Sequence, residues 1–206
     1  MPSNLPDSFR TLDEGPKLEI KIKASRFIGQ VFHAVDEESA RAALTGVRKR
    51  YHDARHHCSA WRVGGPAVPL ERSDDDGEPS ASAGPPILEA IRRAEVFDVA
   101  VIVTRYFGGT KLGKGGLIRA YDEAARHALE AAPPRDVWCD VAVTVQCGYD
   151  DVGTVEAILA RFGDCVVQVN RVFDGEPTFT ILVRRSRADD LREALVDGTA
   201  GRGRVT

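Results

Sequence analysis

An apolar run from Phe97 to Thr104 suits a buried strand, and from Leu117 to Leu129 apolar residues recur at helical spacing. Thr104 to Tyr121, which joins them, reads TRYFGGTKLGKGGLIRAY, with five glycines, four cationic side chains and no acid. A strand must therefore turn into a helix through a segment where backbone amides lie bare and the fixed charge is positive. Glycine permits positive φ and close approach, so amide hydrogens can converge on an anion. A helix opening near Gly116 adds its positive dipole end and unpaired N–H groups. Arg105, Lys111, Lys114 and Arg119 supply charge around that concavity, and arginine can hold a phosphate with two parallel hydrogen bonds. The stretch Gly108 to Lys114 also fits GxxxxGK, the phosphate-loop spacing. Gly115 stands where a Ser or Thr hydroxyl would bind magnesium, which argues against nucleotide hydrolysis of that kind. The GxGxxG pattern fails because residue 118 is Ile.

The charge distribution sharpens this reading. Residues 1–134 carry 19 Lys and Arg against 19 Asp and Glu, and residues 135–206 carry 9 against 12, which gives the whole net charge of −3. A chain that coats nucleic acid by overall basicity is excluded. Within the first part, however, Arg41, Arg48, Lys49, Arg50, Arg55 and Arg62 face only Asp53. By contrast Glu71, Asp74, Asp75, Asp76 and Glu78 surround only Arg72. No apolar run approaches the roughly 18 residues of a membrane span, and the opening residues lack a secretory pattern. Cys58, Cys139, Cys147 and Cys165 form no CxxC. Reduced thiols, a cytoplasmic location and no membrane partner are the expectation, with no metal or cofactor assigned.

Pattern and turn chemistry predict an α+β protein in two parts, residues 1–134 and 135–206, divided after Ala131-Ala132-Pro133-Pro134. In the first part, Lys17–Lys23 and Ile28–Val35 read as a hairpin, and Asp36 caps a helix carrying Ala40, Ala43, Leu44, Val47 and Tyr51 inward. His56–Val63 reads as a strand, Gly64–Pro86 as a long loop and Ile87–Ala94 as a short helix. The helix after the glycines buries Leu117, Ile118, Tyr121, Ala124, Ala125, Ala128 and Leu129. In the second part, Val137–Val145 reads as a strand and Asp151 opens a helix closed by Gly163. Cys165–Phe173 and Thr178–Val183 flank the turn DGEP, Ser186 caps a helix with Leu191 and Leu195, and Arg202–Thr206 closes. That order, βαββαβ, is ferredoxin-like.

Two further clusters carry candidate chemistry. HDARHHC places Asp53, His56, His57 and Cys58 together; in a strand His56 and Cys58 share a face, which permits a nucleophile pair or a metal site. A small buried thiol explains Cys58 equally simply. The run SDDDGEPSASAGPP has three successive aspartates, which need a cation or a basic neighbour unless the loop is merely solvated.

Ser25-Arg26-Phe27, DAxHxCxA from Asp53 to Ala60, DDGEPS from Asp75 to Ser80, AGPP from Ala83 to Pro86, and VTRYFGGTKLGKGGLIRAY from Val103 to Tyr121 together resemble the YigZ/IMPACT family. The resemblance implies a first domain of the βα fold seen in ribosomal proteins and in domain IV of elongation factor G, and a ferredoxin-like second domain. It also implies an association with translational control. Two positions depart from the family pattern: Ser80–Gly84 is SASAG where members read SGTAG, and Arg55 stands where Thr is common. The leading expectation is a translation-associated regulatory protein that binds RNA or a ribosomal surface, with a translation-associated protein as a further partner. Its anion-binding residues are Arg26, Arg55, Arg105, Tyr106, Gly108, Gly109, Lys111, Lys114, Gly115, Gly116 and Arg119. The alternative is a metal-assisted hydrolase of a phosphorylated or peptide-like substrate, using His56, Cys58, Asp75, Asp76 and Glu78. A third is a protein-binding adaptor that uses the ferredoxin-like sheet face.

Overall fold

The computed structural model describes residues 6–206, which divide into two compact units: Phe9–Val137, and the described residues up to Ser8 together with Trp138–Thr206. In chain order the first elements are β1 (Ser8–Leu12), β2 (Leu18–Ile22), β3 (Ser25–His33), α1 (Glu37–Arg50), β4 (His56–Val63) and β5 (Leu70–Asp74). These are followed by α2 (Gly84–Arg93), β6 (Val99–Tyr106), α3 (Lys114–Ala131) and β7 (Pro134–Trp138). Strands β2-β3-β6-β4-β5 form an antiparallel sheet, and β1 pairs with β7.

The apolar character of β6 follows from its place at the centre of that sheet, where every residue from Val99 to Arg105 is buried. Val99, Val101 and Val103 pack with α2 and α3, while Ala100 and Ile102 pack with α1 on the other face. Covering both faces turns the usual alternation of an antiparallel strand into a continuous apolar run. Each fully buried Val or Ile there contributes about 1.5–3 kcal/mol. Helix α3 lies close to the sheet because its inward residues are mostly alanines: a Cβ at Gly29 of β3 would stand 2.5 Å from the Ala124 carbonyl oxygen.

Asp36 caps α1 as its sequence predicts, accepting from the Ser39 amide at 2.8 Å, while Ser39 returns a bond to the Asp36 amide. Other expectations shift. Helix α3 opens at Lys114, not Gly116, and Ile118 is exposed rather than inward. The stretch 64–86 is not one loop: it contains β5 and the first turn of α2. Strand β5 has largely exposed side chains, so its sequence lacks the alternation that marks a half-buried strand.

The second unit continues with β8 (Asp140–Gln146), α4 (Val152–Phe162), β9 (Val166–Val172), β10 (Thr178–Arg184), α5 (Ala188–Gly198) and β11 (Arg204–Val205). Its sheet order β11-β8-β10-β9, antiparallel throughout, gives the ferredoxin-like arrangement. Val143, Val145, Phe179, Ile181 and Val183 meet Val155, Ile158, Leu191 and Leu195 in its core. Gly163 ends α4 at φ +50. Asp151 opens α4 as expected but without a side-chain cap, and the capping expected of Ser186 fails. The Asp151 carboxylate is held by Arg202 at 2.6 and 3.1 Å, and the Ser186 hydroxyl donates to Asp7 at 2.7 Å, so neither caps the following helix.

Candidate anion-binding site

Strand β6 delivers Arg105, Tyr106 and Phe107 to one end of the first sheet, where the chain enters the glycine segment. Gly108 presses against the β2–β3 hairpin so closely that a Cβ would lie 1.8 Å from the Ala24 carbonyl oxygen, and its amide donates to Ser25 Oγ at 3.2 Å. Only glycine fits that contact. Gly109 and Gly113 sit at φ +87 and +73, which bends the chain back so that α3 starts at Lys114.

The first turn of α3 has no acid and no side-chain cap. Its donors therefore face outward unclaimed by any carboxylate. Lys111, Lys114 and Arg119 are exposed, and none has an ion-pair partner among the described residues. An Arg119 Nη1 lies 3.9 Å from the Cβ position of Gly115, which brings that guanidinium back over the same turn. A cavity of about 320 Å³ opens here, with Pro79, Phe107, Leu112 and Leu117 as walls and Lys111, Gly113 and Lys114 at the mouth. Arg105 and Glu78 also line it.

Arg105 is not a free cation. Its side chain is 6% exposed and pairs with Glu78, 4% exposed, at 2.5 Å. The Tyr121 hydroxyl donates to the same Glu78 oxygen at 2.7 Å. The guanidinium sits between the Phe27 and Phe107 rings, with centroid distances of 5.4 and 5.5 Å, and its Nε–H is buried with no acceptor. Arg26 and Tyr106 point to the opposite face by strand alternation. Arg26 pairs with Glu19 and covers the Tyr106 ring at 5.0 Å, while the Tyr106 hydroxyl donates to Asp53 at 2.7 Å. Arg55 is exposed beside them. The predicted residues thus separate into the Lys111, Lys114 and Arg119 group around α3, a buried Arg105, and an Arg26, Arg55 and Tyr106 rim.

Of the hydrolase residues Glu78 lines the cavity, and the others are bonded within the chain. Cys58 is fully buried, its thiol donates to the Asp75 carbonyl at 3.0 Å, and burial pushes its pKa well up, away from thiolate. His56 Nδ1 meets the Asp76 carbonyl oxygen at 2.8 Å. The Asp76 carboxylate accepts from the His57 amide at 2.6 Å and pairs with Arg48 at 2.7 Å. Asp75 accepts from the Ala81, Ala83 and Gly84 amides at 2.7, 2.9 and 2.9 Å. Burial would raise its pKa, but these amide bonds outweigh it and hold the carboxyl below its usual range. Among the described residues no three His, Cys, Asp or Glu side chains gather in a metal-ligating group.

Ser25, Phe27 and Tyr121 complete the Arg105 surroundings. Tyr121 was legible as a core residue of α3, whereas its bond to Glu78 joins residues 43 apart and leaves no local signal.

A protein-family model described as the Impact N-terminal domain matches residues 23–129, and a domain of unknown function, DUF1949, matches residues 145–202. The chain belongs to the IMPACT family. Its relatives include the IMPACT family member YigZ of Escherichia coli, 37% identical over 68% of this chain and 70% of that protein. An IMPACT family member of Thermus thermophilus is 44% identical over 67% of this chain and 73% of that one. A solved crystal structure of a hypothetical protein is similar over 98% of this chain and 97% of that chain, with a TM-score of 0.69 at 29% identity.

The IMPACT motifs meet at one end of the first sheet. Ser25 of SRF anchors Gly108, Asp75 of DDGEPS is wrapped by the amides leading into AGPP, Glu78 holds Arg105, and Tyr121 closes on Glu78. No helix among the described residues is long and apolar enough to cross a membrane.

Proposed function

We propose that this IMPACT-family chain is a cytoplasmic, translation-associated regulatory protein that binds RNA or a ribosomal surface through phosphates held at the start of α3. The observation that carries this reading is the set of three cations, Lys111, Lys114 and Arg119, that have no ion-pair partner among the described residues, around a helix N-terminus that no described carboxylate occupies. Phosphate oxygen meets there both fixed charge and amide donors. The translational setting follows the resemblance carried by the chain's motifs. Nothing in the His56, Cys58, Asp75, Asp76 and Glu78 group favours hydrolysis, since each of these residues is already bonded within the chain.

Binding through phosphates releases counterions, so affinity falls with salt, by a slope of about 0.7 per contact for single strands. Replacing Lys111 and Lys114 by Ala should weaken single-stranded RNA binding and ribosome cosedimentation, and lower that slope by about 1.4, two contacts at about 0.7 each. An unchanged affinity and slope in the double variant would remove this segment as the binding site.

A further inference from the structure

A bare phosphate would need only lysines and amides, yet the cavity beside them is walled by Phe107, Leu112 and Leu117. Phe107 is 44% exposed at the edge of a glycine segment, so part of its ring is open to a ligand. One face of that ring is already turned to the Arg105 guanidinium, which stiffens it as a stacking surface. The volume of about 320 Å³ is at the lower end of the range for small-molecule pockets, roughly 300–1,000 Å³, and suits one nucleotide rather than a longer segment.

The charges orient such a ligand. The lining combines the exposed Lys111 and Lys114 with the buried Glu78 carboxylate. Both hydrogen bonds to Glu78 fall on Oε1, and among the described residues none reaches Oε2. That oxygen can accept from the exocyclic amino group of a base and repels a phosphate. Beside it, Arg105 lines the cavity nine-tenths buried, its charge already paired with Glu78.

We infer that the cavity seats the base of one nucleotide, ring inward between Phe107 and the Leu112–Leu117 wall, with its phosphate outward on Lys111 and Lys114. This rests on the phosphate-binding reading of the same segment and adds the base to it. The shared chemistry is a nucleobase joined to a phosphate, from a splayed residue of single-stranded RNA or from a free mononucleotide.

The test titrates the full chain with an oligoadenylate of eight nucleotides, with an abasic oligoribonucleotide of equal length and charge, and with adenosine monophosphate. Base stacking is worth roughly a fivefold or greater change in affinity per base. The base-bearing oligonucleotide is expected to bind at least about fivefold tighter than the abasic one, and Phe107→Ala to erase that difference while leaving abasic binding intact. Equal affinity for the two oligonucleotides, with both weakened by Lys111→Ala and Lys114→Ala, overturns the base seat and leaves the phosphate site standing. Binding of the mononucleotide without either oligonucleotide supports the seat and overturns RNA as its source. If none of the three probes binds, both readings fail. Leu112→Trp, which fills the cavity from the loop side, should reproduce the Phe107→Ala result; selective binding that survives both substitutions refutes the location.

Discussion

Replacing Ala81 by Gly should stabilise the first unit, although it removes a methyl group and adds backbone freedom. Ala81 sits at φ +58, in the left-handed region, because the loop around Asp75 must turn there for three amides to reach one carboxylate. An L-residue pays about 1–2 kcal/mol for that conformation. Glycine avoids the cost but loses about 0.4–1 kcal/mol through the greater freedom of its unfolded chain. Ala81 is exposed, so no packing is lost, and the mid-range difference is a gain of about 0.8 kcal/mol for Ala81→Gly. Urea unfolding followed by a probe of the first unit, such as Trp61 fluorescence, measures it as a higher midpoint with unchanged slope. Ala83→Gly is the control: Ala83 is buried at φ −134, where glycine brings no relief, and it should lower the midpoint. An Ala81→Gly midpoint equal to or below that of the parent would refute the reasoning, since either result means the left-handed turn carries no strain. The family pattern has Gly at this position, so the strain belongs to this chain's departure from it.

Gly108→Ala forces a Cβ into the Ala24 carbonyl, and the typical cost of overpacking, about 1–3 kcal/mol, should appear in unfolding measurements together with weakened RNA binding, because the glycine segment loses its anchor on Ser25. Gly109→Ala, with open space around its Cβ position but φ +87, should cost only the backbone term of about 1–2 kcal/mol; equal effects at both glycines would deny the close contact. Asp75→Asn removes the charge and one acceptor from a carboxylate bonded to three amides and should destabilise by about 1.5–3 kcal/mol. The folded pKa of Asp75 is lowered, so its contribution is fully present above the unfolded value and is lost as pH falls through the folded one; the gap between parent and variant should therefore close in acid, and a gap constant with pH would show that the charge is irrelevant.

The parts of the fold that were legible in the sequence are those where a local pattern had a single structural meaning. Strand β6 announced itself by its apolar run, α3 by its alanine and leucine stripe, α1 by Asp36, and the second unit by the order of its elements. Strands β1, β5 and β7 were not legible, since strands with few buried residues carry little alternation and take their pairing from neighbours far along the chain. At the site, the glycines and Lys111 and Lys114 stood out because backbone geometry and charge are local properties. Pairing was not: Arg105 reads as an anion anchor until Glu78, 27 residues away, is seen to hold it, and the acids of the DDGEPS run read as chemistry until their amide and arginine partners appear.

The two helix entrances of the first unit differ in a way that supports the proposed anion site at α3. Helices α2 and α3 each follow a glycine- or alanine-rich turn, each lacks an acid in its first turn, and neither is capped by its own N-cap side chain. Such an end leaves several amide donors unsatisfied and carries partial positive charge. At α2 the chain supplies the anion itself: Asp75 reaches in from the loop and takes the Ala83 and Gly84 amides. At α3 the acid that lines the adjoining cavity is Glu78, and one oxygen of its carboxylate is taken by Arg105 and Tyr121. Glu78 thus cancels the buried arginine that lines the cavity, while Lys111 and Lys114, which also line it, keep their charge. A chain that fills one of two similar entrances with its own carboxylate, and ties the acid beside the other to an arginine, supports the proposed anion site at the second.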